Sequence, residues 1–182
     1  THVYDLTTPR LLWSGEKRKS ETLERFFKEL GNRICATVEA GCCDMWDPYI
    51  EVIKRRFPKA LLVFDKFHIV RHLMIAVDEV RKEEAKKFKA KGIDLLNETK
   101  YLWLKNPWNL TENQEVRLSD LEKVNLKTHR AYLLKEAFRR FWDYTYPAWA
   151  ERYLCQWFWW ATHSRLAPVI KAANTLKTHI DN

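Results

Sequence analysis

Two apolar stretches, each running straight into an aspartate, constrain this chain more than any other feature. Ile34 to Cys43 reads as a strand ending on Asp44, and Ala60 to Phe64 as a second strand ending on Asp65, directly before Lys66-Phe67-His68. Between them, Asp47 and Pro48 open a short helix carrying Tyr49, Ile50, Ile53 and Phe57 at helical spacing, and Phe57-Pro58 closes it. Strand, helix and strand in that order predict a right-handed crossover between parallel strands, hence an α/β layer with both sheet faces covered. Ligands of open α/β sheets gather outside the carboxyl ends of the strands, so Asp44 and Asp65 stand where two carboxylates could converge on one divalent cation.

The rest of the chain frames that layer. Val3 to Leu6 and Arg10 to Trp13 flank Thr7-Thr8-Pro9 as a hairpin at a sheet edge, and the chain is expected to be an internal piece of a longer protein because it starts inside a strand. Ser20 is expected to cap a helix with Leu23, Phe26, Phe27 and Leu30 on one face and Gly31 as its stop. After Asp65, a stripe of Ile69, Leu73, Ala76, Val77, Val80 and Phe88 predicts a long helix ended by Gly92. Only helices are predicted beyond it. Thr111 and Gln114 form a capping box before Leu118 and Leu121, a helix covers about Thr128 to Tyr144, Pro147 opens one bearing Trp149, Tyr153, Trp157 and Trp160, and Pro168 opens the last. The division is therefore an α/β part at 1–70 and an all-helical part at 71–182.

Charge follows the same division. The chain carries 32 Lys and Arg against 24 Asp and Glu, a net charge of +8, which favours a polyanionic partner. Residues 1–65 are nearly neutral, so almost all of the excess lies in the helical part. Lys82, Lys86, Lys87, Lys89 and Lys91 crowd one helix and could follow a phosphate backbone, although Glu83 and Glu84 interleave with them as on a solvated face. Cys42 and Cys43 are adjacent, and the 4 cysteines make neither a disulfide framework nor a C-x-x-C metal pattern, which fits a reducing cytoplasm. Trp157 to Trp160 is far too short to span a bilayer, and no membrane partner is expected.

The run Cys43-Asp44-Met45-Trp46-Asp47-Pro48-Tyr49-Ile50, then Phe57-Pro58-Lys59-Ala60 and Val63-Phe64-Asp65-Lys66-Phe67-His68-Ile69-Val70, resembles the ISL-three family of bacterial insertion-sequence transposases. Tyr4-Asp5-Leu6, Arg10-Leu11-Leu12-Trp13, Ala76 to Arg81, Leu104-Lys105-Asn106-Pro107, Asn109-Leu110-Thr111 and His163-Ser164 before Leu166 follow in the family's order, so the likeness covers nearly the whole chain. The resemblance implies a partial ribonuclease-H-like sheet with flanking helices, then an all-helical insertion between the second and third acids of a DDE triad. It implies that Asp44 is the second acid, a catalytic ligand of Mg²⁺ or Mn²⁺, with the first acid expected before Thr1 and the glutamate beyond Asn182, so that this piece alone is expected to be inactive. Transposon ends and target DNA are the implied partners, a bacterial cytoplasm the implied place, and a homo-oligomer in the transposition complex is compatible with both.

Each site residue also has a plainer reading. Asp44 could be a turn or capping aspartate, and Asp65 could cap the long helix instead of joining a metal. His68 shares a helix face with His72 at i, i+4, a spacing that suits two ligands, yet a histidine among Phe67, Ile69 and Leu73 is commonly a packed one. Lys66 could approach phosphate or be a surface lysine; Asp5 reads as a turn residue and Glu39 as a solvent-facing strand position. Trp149, Trp157 and Trp160 recur at helical spacing, so most of them are expected in the core, whereas Trp159 lies off that stripe and could stack on a base or face another subunit, with core or inter-helix packing the plainer and favoured reading. Two further functions remain open: a helical nucleic-acid-binding or interaction module without catalysis, and a self-contained metal-dependent nuclease built on Asp5, Asp44 and Asp65.

Overall fold

Thr7 and Thr8 donate hydroxyl hydrogen bonds to Asp5 and so tie the turn that lets β1 (His2–Asp5) and β2 (Arg10–Ser14) pair antiparallel, Asp5 opposite Arg10. In the computed structural model, which describes residues 1–180, this hairpin begins the first of two compact units, Thr1–Ile69 and Val70–Asn182. Helix α1 (Ser20–Leu30) follows and buries Leu23, Phe26 and Phe27 along one face. Ser20 is its first residue rather than its cap: Lys19 takes the cap position and no side chain bonds the exposed N–H groups. At the other end Gly31 adopts φ 81°, a value glycine reaches without a Cβ penalty.

The expected strand from Ile34 to Cys43 is mostly not a strand. Asn32–Cys35 makes a single helical turn, α2, which buries Cys35, and the Thr37 hydroxyl donates to the Ile34 carbonyl at 2.8 Å to close it. Only Ala40–Cys43 is extended, as β3. An apolar run cannot by itself distinguish a buried turn from a buried strand, and here the turn carries Cys35 into the cluster of Leu23, Phe26, Phe27, Val52 and Ile53. Glu39 lies just outside β3 and is exposed.

Helix α3 (Asp47–Arg56), with Pro48 in its first turn, leads to β4 (Leu61–Phe64), which pairs with β3 in parallel from Ala40–Leu61 to Cys43–Phe64. The expected parallel pair is present. Gly41 permits the close approach of α3, since a Cβ there would come within 3.3 Å of Ile53 Cγ2. Glu24 on α1 accepts hydrogen bonds from Arg55 and Arg56 on α3, clamping the two helices together. The expectation of a sheet covered on both faces is corrected: Leu62 and Phe64 are half-buried, but Leu61 is 67% exposed and Val63 and Cys42 are exposed with it. Among the described residues the two sheets have two strands each.

Helix α4 (Lys66–Lys89) is continuous, and Ile69, Leu73, Ala76, Val77 and Val80 of its predicted stripe are buried. The second unit adds α5 (Lys100–Leu104), α6 (Glu112–Glu122), α7 (Lys127–Arg139), α8 (Pro147–Thr162) and α9 (Ala167–Ile180). The expected capping box is present at α6: the Thr111 side chain accepts the Gln114 N–H, and Gln114 Oε1 accepts the Thr111 N–H at 3.2 Å. Trp157 is fully buried, donates its indole N–H to the Leu134 carbonyl at 2.8 Å and packs against Phe138 at 4.5 Å. Trp149 departs from expectation: it is 58% exposed, because a repeat of three or four residues identifies a helix stripe without saying which turn of it is covered. Trp159 is exposed as well and stacks on His163 at 4.7 Å.

Candidate functional site

Because Cys43 and Phe64 are the last registered pair of the parallel ladder, the next residue of each strand, Asp44 and Asp65, falls at the carboxyl edge. The Asp65 N–H donates to the Cys43 carbonyl at 3.0 Å, and the Asp44 carbonyl accepts the Trp46 N–H at 2.8 Å as the chain turns into α3. Both carboxylates thus occupy the sheet end that their sequence positions suggested.

Their surroundings differ. The Asp44 side chain is only 18% exposed; Oδ2 accepts a hydrogen bond from Arg18 Nη2, while Oδ1 is buried and accepts none. Leaving a charged acceptor without a donor costs about 1–3 kcal/mol or more. Arg18 is held in place by Trp46, whose ring lies 4.8 Å from the guanidinium carbon, and Trp46 packs edge-on against Tyr49 at 4.5 Å. The Tyr49 hydroxyl in turn shares a hydrogen bond with the Thr1 hydroxyl, which reaches the Lys17 carbonyl at 2.9 Å. Arg18 was invisible as a site residue in the sequence: a basic residue in a charged loop carries no spacing signal.

Asp65 is 44% exposed at its side chain, and its Oδ1 accepts the Phe67 N–H at 2.8 Å, a capping bond at the start of α4. His68 Nε2 lies 3.9 Å from Asp65 Oδ2. Lys66 is the first, exposed residue of α4, and His72 follows one turn after His68. Among the described residues no three His, Cys, Asp or Glu side chains form a group able to hold a metal ion, so Asp44, Asp65 and His68 are not gathered as one ligand set. Nor are Asp5, Asp44 and Asp65. Asp5 belongs to its turn, where hydrogen bonds from the Thr7 and Thr8 hydroxyls and the Thr7 N–H hold its carboxyl down at about 2.

Both thiols at this edge are shifted away from the thiolate form. Burial, with the Asp44 carboxylate and then Cys42 adding to it, pushes the Cys43 thiol up to about 12, and burial followed by the Asp65 charge raises that of Cys42. Held this high, the Cys43 thiol is a poor nucleophile near neutrality. What the edge can do chemically is offer one buried carboxylate with a spare oxygen, next to a cation that is fixed by an aromatic ring.

The lysines of α4 separate into kinds. Lys82 Nζ lies 2.9 Å from Asp78 Oδ2 while Arg81 holds Oδ1 at 2.8 Å, so Lys82 is engaged with its own helix. Asp78, missed in the sequence, is buried; burial opposes its ionisation, but hydrogen bonds from Lys82 and Arg81 outweigh that and bring its carboxyl below the usual value. Lys86, Lys87, Lys89 and Lys91 are exposed. No described helix is long and apolar enough to cross a membrane.

A family model described as a transposase, the ISL3 type of DDE transposase, matches residues 1–182. The chain is 30% identical over 183 residues to the transposase for insertion sequence element IS1001 of Bordetella parapertussis, covering 99% of this chain and 45% of that protein. It is 27% identical over 202 residues to the transposase for insertion sequence element IS1557 of Mycobacterium tuberculosis, covering 98% of this chain and again 45% of the relative. The chain therefore spans a little under half the length of these relatives. No solved structure matches it.

Proposed function

This chain belongs to the ISL3 family of transposases, and on that premise we propose that it forms part of the catalytic core of an enzyme that cleaves and joins DNA strands in transposition, with Asp44 as a metal-binding catalytic carboxylate. The observation that carries this reading is the Asp44 Oδ1 atom, buried at the end of a parallel strand without a hydrogen-bond donor. That state is costly for a structural carboxylate and suited to a cation ligand.

On this reading the first unit is part of a ribonuclease-H-like sheet domain and the second is a helical insertion. The uncovered outer face at Leu61 and Val63 supports it, since parallel sheets are normally buried on both sides, and further parts of the complete enzyme would cover it. Those parts would also carry the first Asp and the last Glu of the triad, leaving residues 1–182 inactive alone.

When bound, Mg²⁺ or Mn²⁺ supplies the positive charge that favours an ionised attacking oxygen and a departing one. Asp44 contributes one carboxylate to hold it. Arg18, stacked on Trp46, orients that carboxylate through its hydrogen bond to Oδ2. Asp65 and His68 stand next to this edge and are secondary candidates for the same metal or for ordering the turn between sheet and α4. DNA, as transposon ends and target, is the substrate and partner, with Lys66 in the first unit and Lys82, Lys86, Lys87, Lys89 and Lys91 in the second as candidate contacts, Lys82 being also paired with Asp78. A homo-oligomeric transposition complex fits such a reaction.

The test is strand cleavage by the full-length transposase containing this chain, in Mg²⁺ and in Mn²⁺. Asp44→Asn should abolish cleavage while DNA binding persists; normal cleavage by that variant would falsify the assignment. A non-catalytic DNA-binding module would bind DNA equally with and without metal and show no dependence of any reaction on Asp44.

A further inference from the structure

We propose that the cleft bounded by the end of α4, the start of α7 and the turn from α8 to α9 is a binding site for the phosphodiester backbone of DNA, with Lys87, Lys91, Lys127 and Arg165 as its phosphate-binding groups. The cleft encloses about 310 Å³. It rests on the reading of DNA as partner and adds Lys127 and Arg165, neither of which lies in the lysine-rich segment.

Three separate segments deliver these four cations to one place. Two acids also line the cleft, Glu83 and Glu84, but Glu84 is committed elsewhere: its carboxylate accepts the N–H groups of Lys127 and Thr128 at 2.9 and 2.8 Å and the Thr128 hydroxyl at 2.8 Å, capping α7. Those bonds leave the charge of Glu84 in place, so the four cations face two acids and the cleft stays net positive, which works against the fold. A polyanion seated among them reverses the sign of that cost.

Arg165 supplies a second, independent observation. Its φ is 59°, in the left-handed region where glycine is preferred. A turn that needed only its geometry would be better served by glycine, whereas here an arginine lines the cleft. Phe88 and Pro168 add apolar surface to the same walls, which suits the sugar faces between phosphates. Arginine and lysine recognise phosphate by charge-assisted hydrogen bonds and need no base contact.

The experiment measures anisotropy of a labelled mixed-sequence DNA duplex with this chain across a salt series. Each phosphate contact contributes about 0.9 to the slope of log affinity against log salt, so Lys127→Gln with Arg165→Gln should make the slope shallower by about 2. Removing two exposed lysines outside the cleft, Lys100→Gln with Lys177→Gln, should leave it unchanged. Arg165→Gly removes the charge where the backbone already suits glycine; it should fold and lower the slope by about 1. A wild-type slope in the cleft variants, equal losses in the cleft and control variants, or no DNA binding by the wild type would each overturn the site. Cleavage by Asp44→Asn tests the catalytic reading separately, because that carboxylate lies outside the cleft.

Discussion

Arg18 and Asp44, 26 residues apart in the chain, are joined by a hydrogen-bonded ion pair that uses one carboxylate oxygen and leaves the other buried without a donor. A residue kept only for stability would use both. Asp44→Asn should therefore change stability little, by about 0–1 kcal/mol as for a partly exposed ion pair, even though the proposed activity is lost. Urea unfolding of the wild type and variant measures it, and a loss well above about 2 kcal/mol would mark Asp44 as structural.

Cys43 reports on the same carboxylate. Burial, with Asp44 second, holds its thiol at about 12, so iodoacetamide should label Cys43 far more slowly than the exposed Cys155 at pH 8. Asp44→Asn removes one of the raising charges and should speed labelling of Cys43. Mass spectrometry of the two sites checks both statements, and an unchanged rate in the variant would argue against a charged Asp44 beside the thiol.

Asp78 should matter for stability as Asp44 does not. It is buried and bonded to Arg81 and Lys82, and Asp78→Asn should cost about 1.5–3 kcal/mol at pH 7. Its folded-state carboxyl is held below the unfolded value of 3.8, so the contribution is complete above about that pH and fades as pH falls through the lower folded value. Urea midpoints of wild type and variant should converge in acid; a gap that stays constant with pH would refute the ionic origin.

Lys135 is buried on α7, where its ammonium donates to the Trp103 carbonyl at 2.8 Å and lies 2.8 Å from Glu136 Oε1. Lys135→Ala should cost about 3–5 kcal/mol, because it empties a buried position, strips the Trp103 carbonyl of its donor and leaves Glu136 only the longer contact with Arg139 at 4.0 Å. Lys135→Met with Glu136→Gln should recover much of that loss. Burial pulls the folded-state value of Lys135 below 10.5, so the unfolded chain binds more protons between the two values and stability from this group rises with pH there. Thermal unfolding followed as pH rises toward 10.5 should lose that rise in Lys135→Met.

Local patterns were legible wherever a rule of spacing had only one outcome. Ala60 to Phe64 ran into Asp65 as a strand, and Asp65 serves as the cap that its place before α4 suggested. Ile69 to Val80 lined one face of α4 as a 3.6-residue repeat requires. Ile34 to Cys43 failed because a short apolar run fits a buried turn as well as a strand, and the pull of Cys35 into the core chose the turn. Trp149 failed because periodicity names a helix face without naming its neighbour.

The order of elements, the strand-end position of Asp44 and the basic character of the helical half were determined by the sequence alone, since each follows from residues within a few positions of one another. Only the tertiary structure decided that Arg18 would meet Asp44 and that Lys127 and Arg165 would share a cleft with Lys87 and Lys91. The physical reason is range. Periodicity and capping are settled within a turn or a strand, whereas the partner of a charge is whichever group the folded chain carries within a few ångströms of it.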